Sequence, residues 1–161
     1  MGRERSHDVV FEAQAVSAGR MRNDITVHWP QMGESWQLAT DEPPGLGGDS
    51  SAPPPLAYIV AGLAGCLMTN IRMMAAHFEV PIEELHVAAR AEWERRVTPG
   101  APHRAATRGF LLDIEIDSDA EDATVLRLVE AARDGCFVED SLTEAVQVSH
   151  RLKLGYGWQE L

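Results

Sequence analysis

From Leu56 to Ile71 the chain carries no charged side chain, and the thirteen residues before that run, Pro43 to Pro55, hold five prolines and three glycines. Proline fixes φ and removes a backbone donor, so the first stretch is expected to be neither helix nor interior strand. The run that follows, from Leu56 through Tyr58, Val60, Leu63 and Cys66 to Met68, is apolar or small all the way round. That is the pattern of a helix buried on every side, expected over Leu56 to His77. Its thirteen apolar residues fall short of the ~20 needed to cross a bilayer, which argues for a core rather than a membrane. Ala57, Ala61, Gly62, Ala64 and Gly65 let neighbouring backbones approach, while Met68, Met73 and Met74 are first of all core filler. A long, stiff connection feeding such a helix often lines a functional site.

The rest of the chain is organised around this helix. Val9 to Val16 alternates as a half-buried strand, Ser17 to Asp24 supplies turn residues with Arg20 and Arg22, and Ile25 to Trp29 resumes extended chain. Trp36 to Thr40 is a short third strand. After the helix, Leu85 to Trp93 and Phe110 to Asp117 alternate strictly and form a hairpin around the loop Thr98 to Thr107. Ser118 or Asp119 is the candidate cap of a helix with the stripe Val125, Leu128, Val129 and Ala132, and Gly135 is its stop. A short helical segment, Phe137 to Ala145, and a strand from Val146 to Leu154 follow, with Gly155 to Leu161 irregular. The order is not a βαβ alternation, so the fold class is α+β with largely antiparallel sheet.

At 161 residues, 45% of them hydrophobic, the chain is one domain over residues 1–161. Its net charge of −11 repels phosphate backbones and anionic lipid, which disfavours nucleic-acid and membrane-surface partners. The charged N-terminus has no apolar signal core behind it, which points to the cytoplasm.

Chemistry rests on two cysteines, Cys66 and Cys136, too few and too far apart for a secreted disulfide framework. They are either buried bystanders or reactive thiols. Cys66 lies in the most apolar segment. Cys136 sits where a helix begins, and free N–H groups there stabilise thiolate. A reactive Cys66 needs a positive charge, and Arg20 or Arg22 in the first hairpin loop suits this better than Arg72, six positions along the same helix. A Cys2His2 set with His77 and His150 lacks zinc-site spacing, and His150 on the apolar face of the last strand reads as a core histidine. No Gly-x-Ser-x-Gly elbow or phosphate loop occurs.

The loop Gly47-Gly48-Asp49-Ser50-Ser51-Ala52-Pro53-Pro54-Pro55, the helix motif Leu63-Ala64-Gly65-Cys66-Leu67, and Ala131-Ala132-Arg133-Asp134-Gly135-Cys136 ahead of the last strand occur in that order. In this the chain resembles the OsmC/Ohr family, the osmotically inducible and organic-hydroperoxide-resistance proteins, from Val9 to Leu154. The resemblance implies antiparallel sheets around a long buried central helix in an intertwined homodimer, with no metal or organic cofactor. It implies a thiol peroxidase in which Cys66 attacks an organic hydroperoxide and becomes a sulfenic acid, Cys136 resolves it as a Cys66–Cys136 disulfide, and an external dithiol restores both. The arginine that stabilises the thiolate maps to Arg20, with Arg22 second. Tyr58, Leu63, Met68 and Phe137 are the candidate apolar lining of the substrate site.

Two positions depart from the family pattern. Leu56-Ala57 stands after Pro55 where members carry a glutamate that orients the arginine, and Phe137 stands where many have proline. Glu139 and Asp140, candidates to replace that glutamate, read as surface acids. The departures mark a divergent subgroup and keep open a second function on the same fold, a redox sensor or small-ligand-binding module with little turnover.

Overall fold

The computed structural model of the chain describes residues 6–143, 147–155 and 157–160. It comprises two compact units, Met1–Ile59 and Val60–Leu161.

The first unit is an antiparallel meander of β1 (Glu12–Ser17), β2 (Asn23–Trp29) and β3 (Glu34–Thr40). Ala15 pairs with Ile25 and Val27 with Trp36, so the β-branched and aromatic side chains meet across the ladder. The first strand begins at Glu12 rather than Val9, and every residue of it is exposed. Its alternation therefore marks a face that nothing in the first unit covers, not a strand half-buried within it.

The proline-rich connection is mostly irregular, yet Pro44–Leu46 makes one turn of 3-10 helix. Pro44 can open that turn because the first N–H groups of a helix have no internal partner to lose. The connection closes back on the two residues that follow β3 through Asp41 N–H to Pro53 O at 3.3 Å and Ser50 N–H to Glu42 O at 3.1 Å. Gly48 is enclosed by this closure: a Cβ there would lie 1.8 Å from the Glu42 carbonyl oxygen.

In the second unit α1 (Pro55–His77), whose first turns belong to the first unit, is followed by β4 (Glu84–Arg96) and β5 (Arg104–Asp117). Then come α2 (Asp122–Asp134), α3 (Phe137–Thr143) and a hairpin of β6 (Arg151–Leu154) and β7 (Gly157–Glu160). Strands β4 and β5 show the expected alternation, with Leu85, Val87, Ala89, Ala91 and Trp93 half-buried opposite Phe110, Leu112, Ile114 and Ile116. Glu92 pairs with Gly109 but Trp93 with Thr107, so Arg108 is the extra residue of a bulge.

Only Leu63, Leu67, Ile71 and Ala75 of α1 are buried, one residue per turn along a single stripe. The expectation of a helix buried all round is corrected for the isolated chain, where Leu56, Ile59 and Met73 are exposed. The length argument against a membrane span also fails for the whole element. At 23 residues, with a mean hydropathy of 1.5 over its apolar window, α1 is long and apolar enough to cross a bilayer. Its buried stripe instead shares a core with Val80, Leu128, Ala132 and Cys136, flanked by the inward faces of β4 and β5.

Three further expectations change. Glu121, not Ser118 or Asp119, occupies the N-cap of α2 and makes no side-chain cap bond. The Ser118 hydroxyl donates to Pro81 O at 2.6 Å and accepts from Ala120 N–H, holding the turn after α1 instead. The last strand starts at Arg151; Val146 lies outside the described residues, while part of the tail expected to be irregular forms β7.

Gly48→Ala is expected to lower the urea midpoint by the equivalent of about 2 kcal/mol or more, because backbone rather than a flexible side chain must move. Gly45→Ala, with open space around it, should change stability by less than about 0.5 kcal/mol.

Candidate functional site

Cys66 stands in the middle of α1, half-buried, next to the helix positions Leu63 and Leu67 that enter the core. Asn70, one turn on, donates from Nδ2 to Cys66 O at 3.0 Å and lies 3.7 Å from Cys66 Sγ. The same side chain approaches the end of α2, where a Cβ on Gly135 would come 3.2 Å from Asn70 Oδ1. Gly135 is the expected stop of α2, but its φ is −92°. A glycine is favoured there by this close approach, not by a left-handed backbone.

Cys136, immediately after Gly135 and before α3, is 1% exposed and belongs to the same core as Cys66. Burial pushes its thiol pKa above the ordinary 9.0. Backbone N–H groups of Glu139 and Val138 pull it down, and the neighbouring Cys66 thiol pushes it up. The helix-start effect anticipated for Cys136 is thus present but outweighed, and the thiol stays protonated near neutral pH. The two cysteines, seventy positions apart in the chain, are neighbours in the second unit.

In the same unit a cavity of about 220 Å³ is lined by Leu63, Phe110, Leu112, Glu139, Leu142 and Thr143. Glu139 is not the surface acid expected. One of its carboxylate oxygens is buried without a hydrogen-bond partner among the described residues, and the other lies 3.4 Å from Arg133 Nε. Asp140 is exposed. Of the four residues expected to line one substrate site, Leu63 lines this cavity. Met68 is half-buried further along α1, where Arg72 Nη2 lies 3.7 Å from its sulfur, and Phe137 is 66% exposed.

Tyr58 belongs to the first unit, where its hydroxyl donates to Ala39 O at 2.7 Å. It lines a larger cavity, about 530 Å³, with Arg22, Asp24, Gln37, Leu38, Ala39, Ser51, Ala52 and Pro53. The hairpin-loop arginines differ sharply here. Arg20 is exposed and makes no hydrogen bond among the described residues. Arg22 donates from Nε to Asp24 Oδ1 at 2.9 Å and from Nη1 to Ser51 O and Ser51 Oγ at 3.2 and 3.0 Å.

Behind Ser51 lies Asp41, 2% exposed. Its Oδ2 accepts from Ser51 N–H, Ser51 O–H and Asp49 N–H, and its Oδ1 from Glu42 N–H. The Ser51 N–H bond above all, against the opposing effect of burial, lowers the Asp41 carboxyl to about 2. No periodicity in the chain pointed to Asp41 or Ser51; the run Asp-Glu-Pro-Pro-Gly before the glycines is the signal of a side-chain-capped turn that could have.

Among the described residues no three His, Cys, Asp or Glu side chains gather to hold a metal ion. His150, expected in the core, is exposed.

Residues 47–151 match the model of the OsmC-like protein family. The chain belongs to the OsmC-like family. A crystal structure of an OsmC-like hydroperoxide resistance protein from Jannaschia sp. CCS1 is 36% identical, with 95% of this chain and 98% of that one covered at a TM-score of 0.65. An OsmC-like protein from Mycoplasma pneumoniae shares the fold at 20% identity and a TM-score of 0.66, covering 86% and 91% of the two chains. An organic hydroperoxide resistance protein from Legionella pneumophila shares it at 20% identity and 0.57, covering 87% and 92%. No curated protein matches the sequence.

Two outcomes follow for the OsmC-like site. In the native protein at pH 7 iodoacetamide should label Cys66 at least tenfold faster than Cys136, with equal labelling in urea, read by peptide mass spectrometry. Asp41 ionises below its ordinary 3.8 in the folded chain, so its stabilisation is complete above about pH 4 and lost as pH falls through 2. Asp41→Asn should therefore be less stable than wild type at pH 7, with the gap in urea midpoint closing as the pH approaches 2.

Proposed function

We propose that this OsmC-like protein is a cysteine-based peroxidase for organic hydroperoxides, working as a homodimer in the cytoplasm without metal or organic cofactor. The observation that carries the reading is the pairing of two chemically unequal thiols in one core, Cys66 half-buried and Cys136 fully buried with a raised pKa. The names of the relatives from Jannaschia and Legionella, both hydroperoxide resistance proteins, agree with it. The family match runs across the boundary between the two units, in keeping with one functional domain over residues 1–161. The apolar side chains left exposed on α1 and β1 agree with a second copy covering them.

In the first step the Cys66 thiolate attacks the terminal oxygen of R–O–O–H. The S–O bond forms as the O–O bond breaks, and the alkoxide takes a proton to leave as alcohol. In the second step the Cys136 sulfur attacks the Cys66 sulfenic sulfur. Its proton and the departing hydroxide leave as water, and the disulfide forms. An external dithiol then returns both cysteines to thiols by exchange and is itself oxidised. The raised Cys136 pKa keeps this thiol from competing with Cys66 for peroxide; it attacks the sulfenic sulfur as thiolate, and the proton it gives up leaves with the hydroxide as water.

The side of the cavity formed by Leu63, Phe110, Leu112 and Leu142, opposed in its lining by the polar Glu139 and Thr143, fits an alkyl substituent better than hydrogen peroxide. Tyr58, Met68 and Phe137 remain candidates for the substrate lining, and a hairpin-loop arginine, Arg20 or Arg22, for stabilising the thiolate. A second reading, a redox sensor or ligand-binding module, is favoured by one feature. The first turn of α1 has no acidic residue, and Leu56 there is 46% exposed.

Turnover of cumene hydroperoxide with dithiothreitol should vanish in Cys66→Ser, and one equivalent of peroxide should remove two hydrogens from the wild type and link the Cys66 and Cys136 peptides. Unchanged turnover in Cys66→Ser would overturn the proposal, whereas oxidation to the disulfide without multiple turnovers selects the sensor.

A further inference from the structure

We propose that Asn70 is a catalytic residue of this site, one of its two amide N–H groups stabilising the Cys66 thiolate that attacks the hydroperoxide. The inference rests on the reading that Cys66 is the attacking thiol, and adds a donor from the same helix and the same compact unit, Val60–Leu161.

The argument begins with proton counting. Asn70 Nδ2 carries two protons and has two acceptors within reach, Cys66 O at 3.0 Å and Cys66 Sγ at 3.7 Å, the longer distance reflecting the size of sulfur. A carbonyl oxygen can only accept, so it sets the amide with its nitrogen toward Cys66 and takes one N–H. The other is left for the sulfur. Among the described residues no other side-chain nitrogen hydrogen-bonds to this sulfur.

Hydroxyls in the same unit show why an amide is needed. Thr69 Oγ1 donates to Gly65 O at 2.8 Å and Ser141 Oγ to Phe137 O at 2.7 Å, each spending its single proton on the carbonyl four residues back. A hydroxyl at position 70 would do the same at Cys66 O and have nothing to give the sulfur. Asparagine is also a poorer helix former than the leucines and methionines around it, so propensity does not account for its place in the middle of α1.

The far end of the amide is held as well. Its Oδ1 faces Gly135, where a Cβ would lie 3.2 Å away, so the side chain is packed between the two cysteine-bearing segments. A donor fixed at both ends is oriented before charge forms on the sulfur, and it pays no reorganisation when the thiol ionises.

The test is the pH profile of iodoacetamide labelling at Cys66, with kcat/KM for cumene hydroperoxide under dithiothreitol, in Asn70→Leu and Asn70→Thr. Asn70→Leu keeps the bulk of the side chain and removes both N–H groups. It is expected to move the labelling midpoint up by about one pH unit and to lower both the labelling rate at pH 7 and kcat/KM about threefold, a tenfold loss of thiolate offset in part because a more basic sulfur is the better nucleophile. Asn70→Thr, polar and able to keep the carbonyl bond, should match Asn70→Leu rather than wild type. Cys136 should label as slowly in both variants as in wild type, which separates loss of the donor from an opened core. A folded Asn70→Leu with the wild-type midpoint would overturn the proposal, and so would Asn70→Thr with that midpoint, since one proton would then suffice. If Cys66→Ser turns over cumene hydroperoxide like wild type, the attacking-thiol reading fails and the catalytic role with it; a wild-type midpoint in Asn70→Leu, where turnover does need Cys66, sinks the Asn70 assignment alone.

Discussion

One stripe of α1 determines what the second unit can be. Leu63, Leu67, Ile71 and Ala75 recur every fourth residue, and three of them share a core with Leu128 and Ala132 of α2 and with Cys136. Each such large side chain contributes roughly 1.5–3 kcal/mol when buried, so this seam fixes the rotation of α1. Once the rotation is fixed, Cys66 must lie at the edge of the stripe, beside Leu67 and one turn before Asn70. The thiol is half-buried because of where the leucines are, not because of any property of its own.

The same packing forces the second thiol inward. Gly135 allows the end of α2 to approach Asn70, and the next residue then has nowhere to go but the core. Two opposing effects meet at Cys136. The N–H groups of Val138 and Glu139 favour thiolate, while burial and the neighbouring Cys66 disfavour it and prevail. Helix-start arguments made from a chain alone see only the first, because burial arises from residues far away in sequence.

That contrast explains what was legible. The alternation in β4 and β5 is local and predicted the inward faces residue by residue, Leu85 to Trp93 and Phe110 to Ile116. The extent of α1 was equally plain, but not which of its faces would be covered, since an all-round apolar helix carries no moment to read. Chain-distant hydrogen bonds were invisible. Ser118 reads as a cap and instead holds Pro81, and Glu139, an acid in the first turn of a short helix, is half-buried with Arg133 and the cavity beside it. Family motifs located the two cysteines and put Arg20 ahead of Arg22, but what distinguishes the two arginines in the first unit, the bonds of Arg22 to Ser51, comes from a loop 29 residues away.

That loop is the less obvious half of the design. Asp41 is a charged side chain almost without solvent access, a costly arrangement unless every lone pair is met. Four donors meet it, three of them backbone N–H groups, and two of these, from Asp49 and Ser51, are ones that the proline-rich segment could not spend on secondary structure. The segment's inability to become helix or strand is what frees its N–H groups to fold around a carboxylate. Gly48 is needed because that folding brings backbone against backbone. The proline-rich connection thus builds the electrostatic support of the first unit, and the Ser51 hydroxyl that donates to this carboxylate accepts from Arg22.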